Sequence, residues 1–179
     1  MPPAARQLDP DRLGDNIDRL YRAAWGLCGS REDAEDLVQE TYAKVLRKPR
    51  LLHSDDDLGY LLRVLRNTHF SAVRAAGRRV RPDPLPDELD QIEDHSVTGP
   101  QDALDARELY ALIARLPDAF RDALVAIDLL GLSYREAARA LRVREATITT
   151  RLYRARLRLA AALDGKDEGP PAVPVTTDP

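Results

Sequence analysis

The sequence predicts an all-α protein built from two small helical domains joined by an extended acidic linker. The composition is 44% hydrophobic and 32% charged with nine glycines, which suits helices better than sheets. Apolar residues recur at helical spacing in both halves of the chain. Between them, residues 81–100 carry four prolines and several acids without that spacing, as expected of a linker.

The first predicted helix carries one apolar stripe and stops at Gly29. The second begins at Ser30, which forms a capping box with Asp33, and it ends before Pro49. We expect the inward side chains of these two helices to be Ile17, Leu20, Tyr21, Ala24, Leu27, Cys28, Ala34, Leu37, Val38, Tyr42, Val45 and Leu46.

A third helix is predicted after the loop that contains His53, with Ser54 and Asp57 as its capping box and Gly77 as its end. Three amphipathic helices can cover one another's apolar faces, so a compact bundle is expected. The inward positions of the third helix are Leu58, Leu61, Leu62, Leu65, Ala72, Val73 and Ala76.

Beyond the linker, apolar positions from Leu104 to Leu116 predict a helix that breaks at Pro117. The next helix buries Phe120, Ala123, Leu124 and Ile127 and is closed by Gly131.

Ser133 and Glu136 then cap a short helix, Tyr134–Leu141, which a brief turn at 142–143 joins to a longer helix. The inward side chains of the longer helix include Ile148, Leu152, Ala155, Leu159 and Leu163. A short capped helix, a tight turn and a longer basic helix form a helix-turn-helix. We therefore divide the chain into residues 1–79, a linker 80–102, residues 103–163 and a disordered tail 164–179.

The charge is unevenly distributed although the net charge is only −3. Residues 139–158 contain seven arginines and one glutamate, whereas residues 80–105 contain eight acids and one arginine. Such segregation favours a basic surface for phosphate in the second domain. An arginine-rich helix in isolation is more often a solvated face, but the capped helix before it favours DNA binding.

In a helix-turn-helix the second helix lies in the major groove and its N-terminal residues contact base edges. Arginine can pair with guanine, glutamate can accept from cytosine, and threonine can bond or touch a thymine methyl. Arg156 and Arg158 would extend the positive surface. The predicted DNA-contacting residues are Arg144, Glu145, Thr147, Thr149, Thr150, Arg151 and Arg154.

The residue inventory indicates neither an enzyme nor a metal or cofactor site. Cys28 is the only cysteine, and its position in the apolar stripe favours a core role over a reactive thiol. The three histidines are far apart, and no nucleophile with a base, carboxylate pair or phosphate-binding glycine loop is present. Neither a membrane span nor a signal peptide is evident, so we expect a cytoplasmic protein.

Three segments resemble parts of a known family. Residues 20–46 (LYRAAWGLCGSREDAEDLVQETYAKVL) and 58–79 (LGYLLRVLRNTHFSAVRAAGRR) resemble region 2 of bacterial RNA polymerase sigma factors, and residues 116–163 resemble region 4. Two such domains with only a short linker are typical of the extracytoplasmic-function type. The resemblance implies promoter-specific initiation with core RNA polymerase, and DAEDLVQET is its most specific string.

The resemblance also implies roles for particular residues. The helix with DAEDLVQET would bind a coiled coil on the largest polymerase subunit through Asp33, Asp36, Leu37, Gln39 and Glu40. Without the resemblance, these residues are better explained as a core leucine, Leu37, on a helix whose acidic face is solvated.

The third helix would recognise and open the minus-10 promoter box, and the helix-turn-helix would contact the minus-35 box. The minus-10 candidates are Arg63, Arg66, Asn67, Arg74, Arg78 and Arg79, followed by Arg81. The loop 51–57 would form one wall of a pocket for an extruded base. Tyr60 stands where relatives usually have tryptophan, and a core position would explain it as well.

Other partners follow from the resemblance alone. The second domain would contact the flap of the second-largest subunit, and an anti-sigma protein is a common partner that no residue here demands. The acidic linker would thread through the polymerase cleft, with an inert tether as the alternative. Arg142, Thr149 and Ser71 depart from the usual family residues, which puts the promoter sequence in question.

Two other function classes explain the sequence less completely. An ordinary transcription regulator with a sensing N-terminal domain would explain the helix-turn-helix, but it would not explain the basic third helix or the acidic linker. An enzyme would need a convergent catalytic constellation. The sequence therefore favours the sigma factor over both alternatives.

Overall fold

The computed structural model describes residues 6–8, 13–48, 51–52, 56–78 and 100–164. These residues are almost entirely helical, which confirms the predicted class. One short ladder was not predicted: strand β1 (Arg6–Gln7) pairs antiparallel with strand β2 (Leu51–Leu52). Among the described helices, none has the length and apolar character needed to cross a membrane.

Most of the predicted linker 80–102 and of the tail 164–179 lies outside the described residues. Residues 100–102 are an exception, because they already belong to the first helix of the second domain.

The first domain opens with a 3-10 turn, Gly14–Asn16, followed by α1 (Ile17–Cys28) and α2 (Arg31–Arg47). Gly29 ends α1 in the left-handed conformation, at φ 81°, which glycine adopts without strain. The hydroxyl of Ser30 accepts a hydrogen bond from the Asp33 N–H at 3.2 Å and so caps α2. The two predicted boundaries between these helices are confirmed.

Helix α3 (Asp57–Arg78) differs from the prediction at both ends. Its N-terminal cap is Asp56, whose Oδ1 accepts from the Gly59 N–H at 2.8 Å; the predicted cap, Ser54, lies outside the described residues. The helix also continues through Gly77 for one more residue. Glycine lowers helix propensity without preventing a helical conformation, so it did not mark the end.

The second domain contains α4 (Pro100–Arg115), α5 (Asp118–Leu124), a π-helical turn (Val125–Leu129), α6 (Tyr134–Leu141) and α7 (Glu145–Leu163).

The predicted capping box of α6 is present. Glu136 Oε2 accepts from the Ser133 N–H at 2.8 Å, and the Ser133 hydroxyl accepts from the Glu136 N–H at 3.3 Å. Hydrogen bonds from Ser133 hold the pKa of Glu136 below its usual value. The helix-turn-helix is confirmed.

One hydrophobic core runs through both domains. Helix α1 lies at its centre because it contacts α2 and α3 on one side and α4 and the π-helical turn on the other. Its buried residues accordingly exceed the predicted stripe and include Ala23, Trp25 and Gly26. The two domains are therefore packed against each other, which the sequence did not predict.

Some residues predicted to face inward are exposed: Ile17, Leu46, Ala72, Val73, Ala76 and Leu163. They lie in the first or last turns of their helices or, in α3, in the C-terminal third. Periodicity identifies a helix face but not where its packing partner ends. These six predictions were wrong because the helices extend past the neighbours that cover them.

We expect the substitution Arg142→Gly to stabilise the protein. Arg142 joins α6 to α7 with φ 57°, a left-handed conformation that costs a non-glycine residue about 1–2 kcal/mol. Glycine removes that strain but adds unfolded-state entropy, so the free energy of unfolding should rise by about 1 kcal/mol. Urea unfolding followed by circular dichroism measures it.

The matched control is Arg154→Gly, within α7, where the same change should lower the free energy of unfolding by about 1 kcal/mol. Equal destabilisation by both variants would contradict the assigned strain at Arg142.

Candidate nucleic-acid and partner interfaces

Helix α7 is anchored by a buried stripe and presents most of its predicted DNA-contacting residues to solvent. Ile148, Leu152 and Ala155 are buried, and α7 packs mainly on α5 and α6. The exposed candidates are Arg144, Glu145, Thr149, Thr150 and Arg154, whereas Thr147 and Arg151 are half-buried. Thr147, Arg151 and Arg154 share one helix face because they lie four and seven residues apart.

The two exposed threonines already donate their hydroxyl protons within α7. Thr149 Oγ1 donates to the Glu145 carbonyl at 3.2 Å, and Thr150 Oγ1 donates to the Ala146 carbonyl at 3.1 Å. A hydroxyl that donates within its helix retains lone pairs as acceptors. In this arrangement the two side chains offer methyl groups and acceptor oxygens to a partner.

Two arginines predicted to extend the positive surface are bound within their own domain. Arg156 donates to both carboxylate oxygens of Asp128, at 3.0 and 2.6 Å, and this contact raises the pKa of its guanidinium. The guanidinium of Arg158 lies 5.3 Å from the ring centroid of Phe120. The positive surface of α7 is therefore narrower than predicted.

Along α3, the minus-10 candidates do not share one environment. Arg63, Asn67 and Arg74 are exposed. Arg66 is only partly exposed and binds Asp122 of α5. Of the remaining candidates, Arg78 belongs to α3 but its side chain is not described, and Arg79 and Arg81 lie outside the described residues.

Two further positions of α3 were singled out by the sequence. The Ser71 hydroxyl donates to the Asn67 carbonyl at 2.8 Å, so it stays on the exposed face of the helix. Tyr60 is half-buried and packs partly against the core. This packing agrees with a core role for Tyr60, and part of the residue remains exposed to solvent.

Helix α2 presents four of its five predicted polymerase-contacting residues on one exposed face: Asp33, Asp36, Gln39 and Glu40. Leu37 is the exception and requires a correction. Its side chain is 6% exposed and belongs to the hydrophobic core, because its position faces α1 and α3. Leu37 therefore supports the helix and is not part of its outer surface.

Two acids on this face also serve the helix itself. Asp33 Oδ2 accepts from the Ser30 hydroxyl at 2.8 Å, and Glu40 lies 3.3 Å from the ammonium of Lys44. Asp36 and Gln39 take part in neither the cap nor that ion pair, so they are the clearest positions for testing the surface.

Cys28 lies inside the first domain beside His69, with 3.8 Å between Sγ and Nδ1. Burial raises the pKa of the thiol to about 12, and burial also lowers the pKa of the imidazole. A thiol that stays protonated is a poor nucleophile and a poor metal ligand. In the described part of the chain, no three His, Cys, Asp or Glu side chains form a potential metal site.

The contact between the domains was not found from the sequence. The rings of Trp25 and Tyr110 stack with centroids 4.0 Å apart and planes 6° apart. Arg66 Nε donates to Asp122 Oδ2 at 2.5 Å. The run AAWGLC at residues 23–28 could have predicted this contact. A helix that is apolar on all sides is buried on all sides, so α1 needed a second packing partner.

The second domain also carries an apolar groove of about 300 Å³ between α4, the end of α5 and α7. Leu109, Ile113, Leu124, Leu129, Leu159 and Leu163 line it, and the Arg156–Asp128 pair lies at its edge. Such a groove can accept apolar side chains from a partner protein.

Both domains match known families. Residues 14–79 match the family described as Sigma-70 region 2, and residues 106–159 match Sigma-70, region 4. The first match contains α1, α2 and α3, and the second contains the helix-turn-helix.

The chain is similar to characterised relatives over most of its length. It is 37% identical over 147 residues to the ECF RNA polymerase sigma factor SigE of Mycolicibacterium smegmatis, covering 80% of this chain and 57% of that protein. It is 31% identical over 150 residues to the ECF RNA polymerase sigma factor SigM of Bacillus subtilis, covering 81% of this chain and 88% of that protein.

The fold is also similar to a solved structure, the sigma factor RpoE in complex with the anti-sigma factor NepR from Bartonella quintana. The TM-score is 0.64 at 25% identity, with 86% of this chain and 95% of that chain covered. With the helix-turn-helix, the three-helix first domain and both regional matches in place, the chain belongs to the sigma-70 family of RNA polymerase sigma factors, in its extracytoplasmic-function group.

Proposed function

We propose that this chain binds core RNA polymerase and directs it to promoters by contacting the minus-35 box with α7 and the minus-10 box with α3. The proposal rests on three features in one chain: an exposed helix-turn-helix, the basic helix α3, and the helix α2 with its acidic face, which precedes α3 in the sequence. An ordinary operator-binding regulator needs only the first of these.

The minus-35 role of α7 is supported by its exposed N-terminal half. Arg144 and Arg154 are exposed at opposite ends of a surface that also carries Glu145, Thr149 and Thr150. Donors, acceptors and methyl groups on one helix can distinguish bases in the major groove. The usual family cation is absent at Thr149, so this position is expected to alter the preferred sequence.

The minus-10 role of α3 is supported by the exposed face formed by Arg63, Asn67 and Arg74. These residues lie four and eleven positions apart, so they follow one side of the helix. Arginines on such a face can hold the backbone of a separated strand, and an amide can bond to an unpaired base.

The polymerase contacts are proposed for two surfaces. The exposed acidic face of α2 would bind the coiled coil of the largest subunit through Asp33, Asp36, Gln39 and Glu40. The apolar groove of the second domain would accept the flap of the second-largest subunit, because it offers leucine side chains beside the Arg156–Asp128 pair.

Several further features belong to the same proposal. An anti-sigma protein is a proposed partner, by analogy with the complex of the Bartonella relative. The residues between α3 and α4 would pass through the polymerase cleft as an acidic linker. The chain would act in the cytoplasm without catalytic activity of its own, since the polymerase supplies the chemistry.

Run-off transcription tests the proposed function directly. Core polymerase from the same organism, supplied with this chain and fragments of the genome, should produce discrete transcripts that core polymerase alone does not. Sequencing their start sites identifies the promoter. The absence of chain-dependent transcripts, despite binding to core polymerase, would refute the function.

We expect Arg151→Ala to weaken binding of the holoenzyme to a promoter fragment identified in this way. If Arg151 neutralises one phosphate, the log–log dependence of affinity on salt should flatten by about one unit. A fluorescence-anisotropy titration at several salt concentrations measures both quantities. Arg107→Ala, at an exposed position of α4, is the control that should leave the slope unchanged.

We expect the double variant Asp36→Ala, Gln39→Ala to bind core polymerase about tenfold more weakly, a loss of about 1.4 kcal/mol. Both side chains are exposed, so helical content measured by circular dichroism should not change. Asp18→Ala removes the same charge from an exposed position of α1 and should bind normally. Wild-type affinity in the double variant would exclude α2 as the docking face.

A further inference from the structure

The N-terminal segment is attached to the loop between α2 and α3 by a backbone ladder. Strand β1 pairs with β2, with Arg6 opposite Leu52 and Gln7 opposite Leu51. Leu8, the next residue, is half-buried and packs against the hydrophobic core. The chain before α1 therefore does more than lead into that helix, because it reaches the segment that precedes α3.

A second anchor lies four residues before α1. Leu13 is 8% exposed and belongs to the core. Its carbonyl accepts a hydrogen bond from the Tyr42 hydroxyl of α2 at 2.9 Å. A ladder of two residue pairs is not stable alone in water. Leu8 and Leu13 hold its first strand against the domain, so the pairing is supported by the core.

The partner strand β2 lies in the loop 51–57, which connects α2 to α3. Leu52 is 7% exposed, so this end of the loop is packed as well as paired. At the other end Asp56 caps α3 through the Gly59 N–H, and a Cβ at Gly59 would clash with that carboxylate. Only residues 53–55 separate these two points. The ladder and the cap therefore fix where the loop begins and where it ends.

The position of β2 relates the ladder to the minus-10 candidates of α3. The loop 51–57 is the segment that the family resemblance predicts as one wall of a pocket for an extruded base. Arg63 lies six residues after Asp57, or about 9 Å along the helix axis at 1.5 Å per residue. This exposed arginine and β2 therefore lie near the same end of α3. A displacement of β2 would move the wall relative to the basic face.

We propose that β1 is a positioning element for minus-10 recognition, which pairs with β2 and so holds the loop 51–57 beside α3 before an extruded base binds. This inference rests on the proposed function and deepens it. A loop that is already ordered avoids the entropy cost of ordering during binding. A wall held in place also rejects bases of the wrong shape, whereas a loop that can shift accommodates them.

The positioning contact is made by backbone atoms, and this determines which substitutions disturb it. Backbone N–H and C=O groups pair whatever side chains the residues carry. Proline is the exception because it has no N–H. The role of β1 should therefore tolerate alanine and be lost with proline.

Two matched double variants separate the ladder from the side chains of β1. Arg6→Pro, Gln7→Pro removes both N–H groups, whereas Arg6→Ala, Gln7→Ala makes the same charge change and keeps both. Each full-length chain is combined with core polymerase on the promoter found by run-off transcription. Versions of that promoter with single substitutions in the minus-10 and minus-35 boxes are transcribed in parallel.

We expect the proline variant to lose about fivefold in discrimination at minus-10, measured as the ratio of run-off transcripts from the native and substituted boxes. Its discrimination at minus-35 should be unchanged, and the alanine variant should match the wild type at both boxes. Unchanged minus-10 ratios in the proline variant would overturn the proposal. Equal losses at both boxes, or in both variants, would also overturn it.

A cross-linked chain tests the same role with the ladder intact, so it does not depend on how the proline variant folds. In a Cys28→Ser background, cysteines replace Gln7 and Leu51. Opposed residues of an antiparallel pair have Cα atoms about 4.5–5.5 Å apart, within the range of a disulfide. The bond should form on oxidation, and the oxidised chain should keep wild-type discrimination at minus-10.

The matched control pairs Leu51→Cys with Arg154→Cys, at an exposed position of α7, and should not form an intramolecular disulfide. If the pair at 7 and 51 formed no disulfide, the ladder would be excluded. Loss of minus-10 discrimination in the oxidised chain would show that the loop must leave β1 to bind a base, and this would overturn the positioning role.

These readings separate the inference from the proposed function. The disulfide forms or fails in the free chain, without transcription. Absent run-off activity in the wild-type chain would refute the proposed function whatever the ladder does. Normal run-off activity with unchanged minus-10 ratios in the proline variant would refute this inference alone.

Discussion

Helix α1 is the element on which the rest of the structure depends. It packs against α2 and α3 on one side and against α4 and the π-helical turn on the other, so a single helix supports both cores. The face of α1 toward the second domain can pack this closely only because Gly26 has no side chain. A Cβ at this position would clash with Leu129. The stacked rings of Trp25 and Tyr110 then fill the adjacent space.

This packing determines which functional surfaces are accessible. The outer face of α2 and the N-terminal half of α7 remain exposed, whereas α3 is held by Asp122 and by the Asp56–Arg139 contact. Burial raises the pKa of Asp122, although the neighbouring Arg66 opposes that rise. A buried carboxylate stays ionised only while a cation neutralises it. Separating the domains would therefore change the surroundings of both Asp122 and Arg66.

Much of the fold could be predicted from local chemistry. Gly29, Ser30, Ser133 and Glu136 marked helix ends correctly because capping involves residues no more than three positions apart. The ends of α3 were less predictable, since Asp56 caps it and Gly77 does not stop it. The predicted burial of Ile17, Val73 and Leu163 was wrong. The periodicity of a helix shows which face is apolar, but it does not show how far the neighbouring helix extends along that face.

The sequence by itself determined the helices, the helix-turn-helix with its arginine-rich second helix, and the acidic face of α2, because these depend on short-range capping and periodicity. Only the tertiary structure decided that Arg156 and Arg158 bind within their own domain, and that Arg66 binds Asp122. Arg66 and Asp122 are 56 positions apart. No local sequence pattern specifies such a distant pair. The two residues meet because both domains pack against α1, on different sides of that helix.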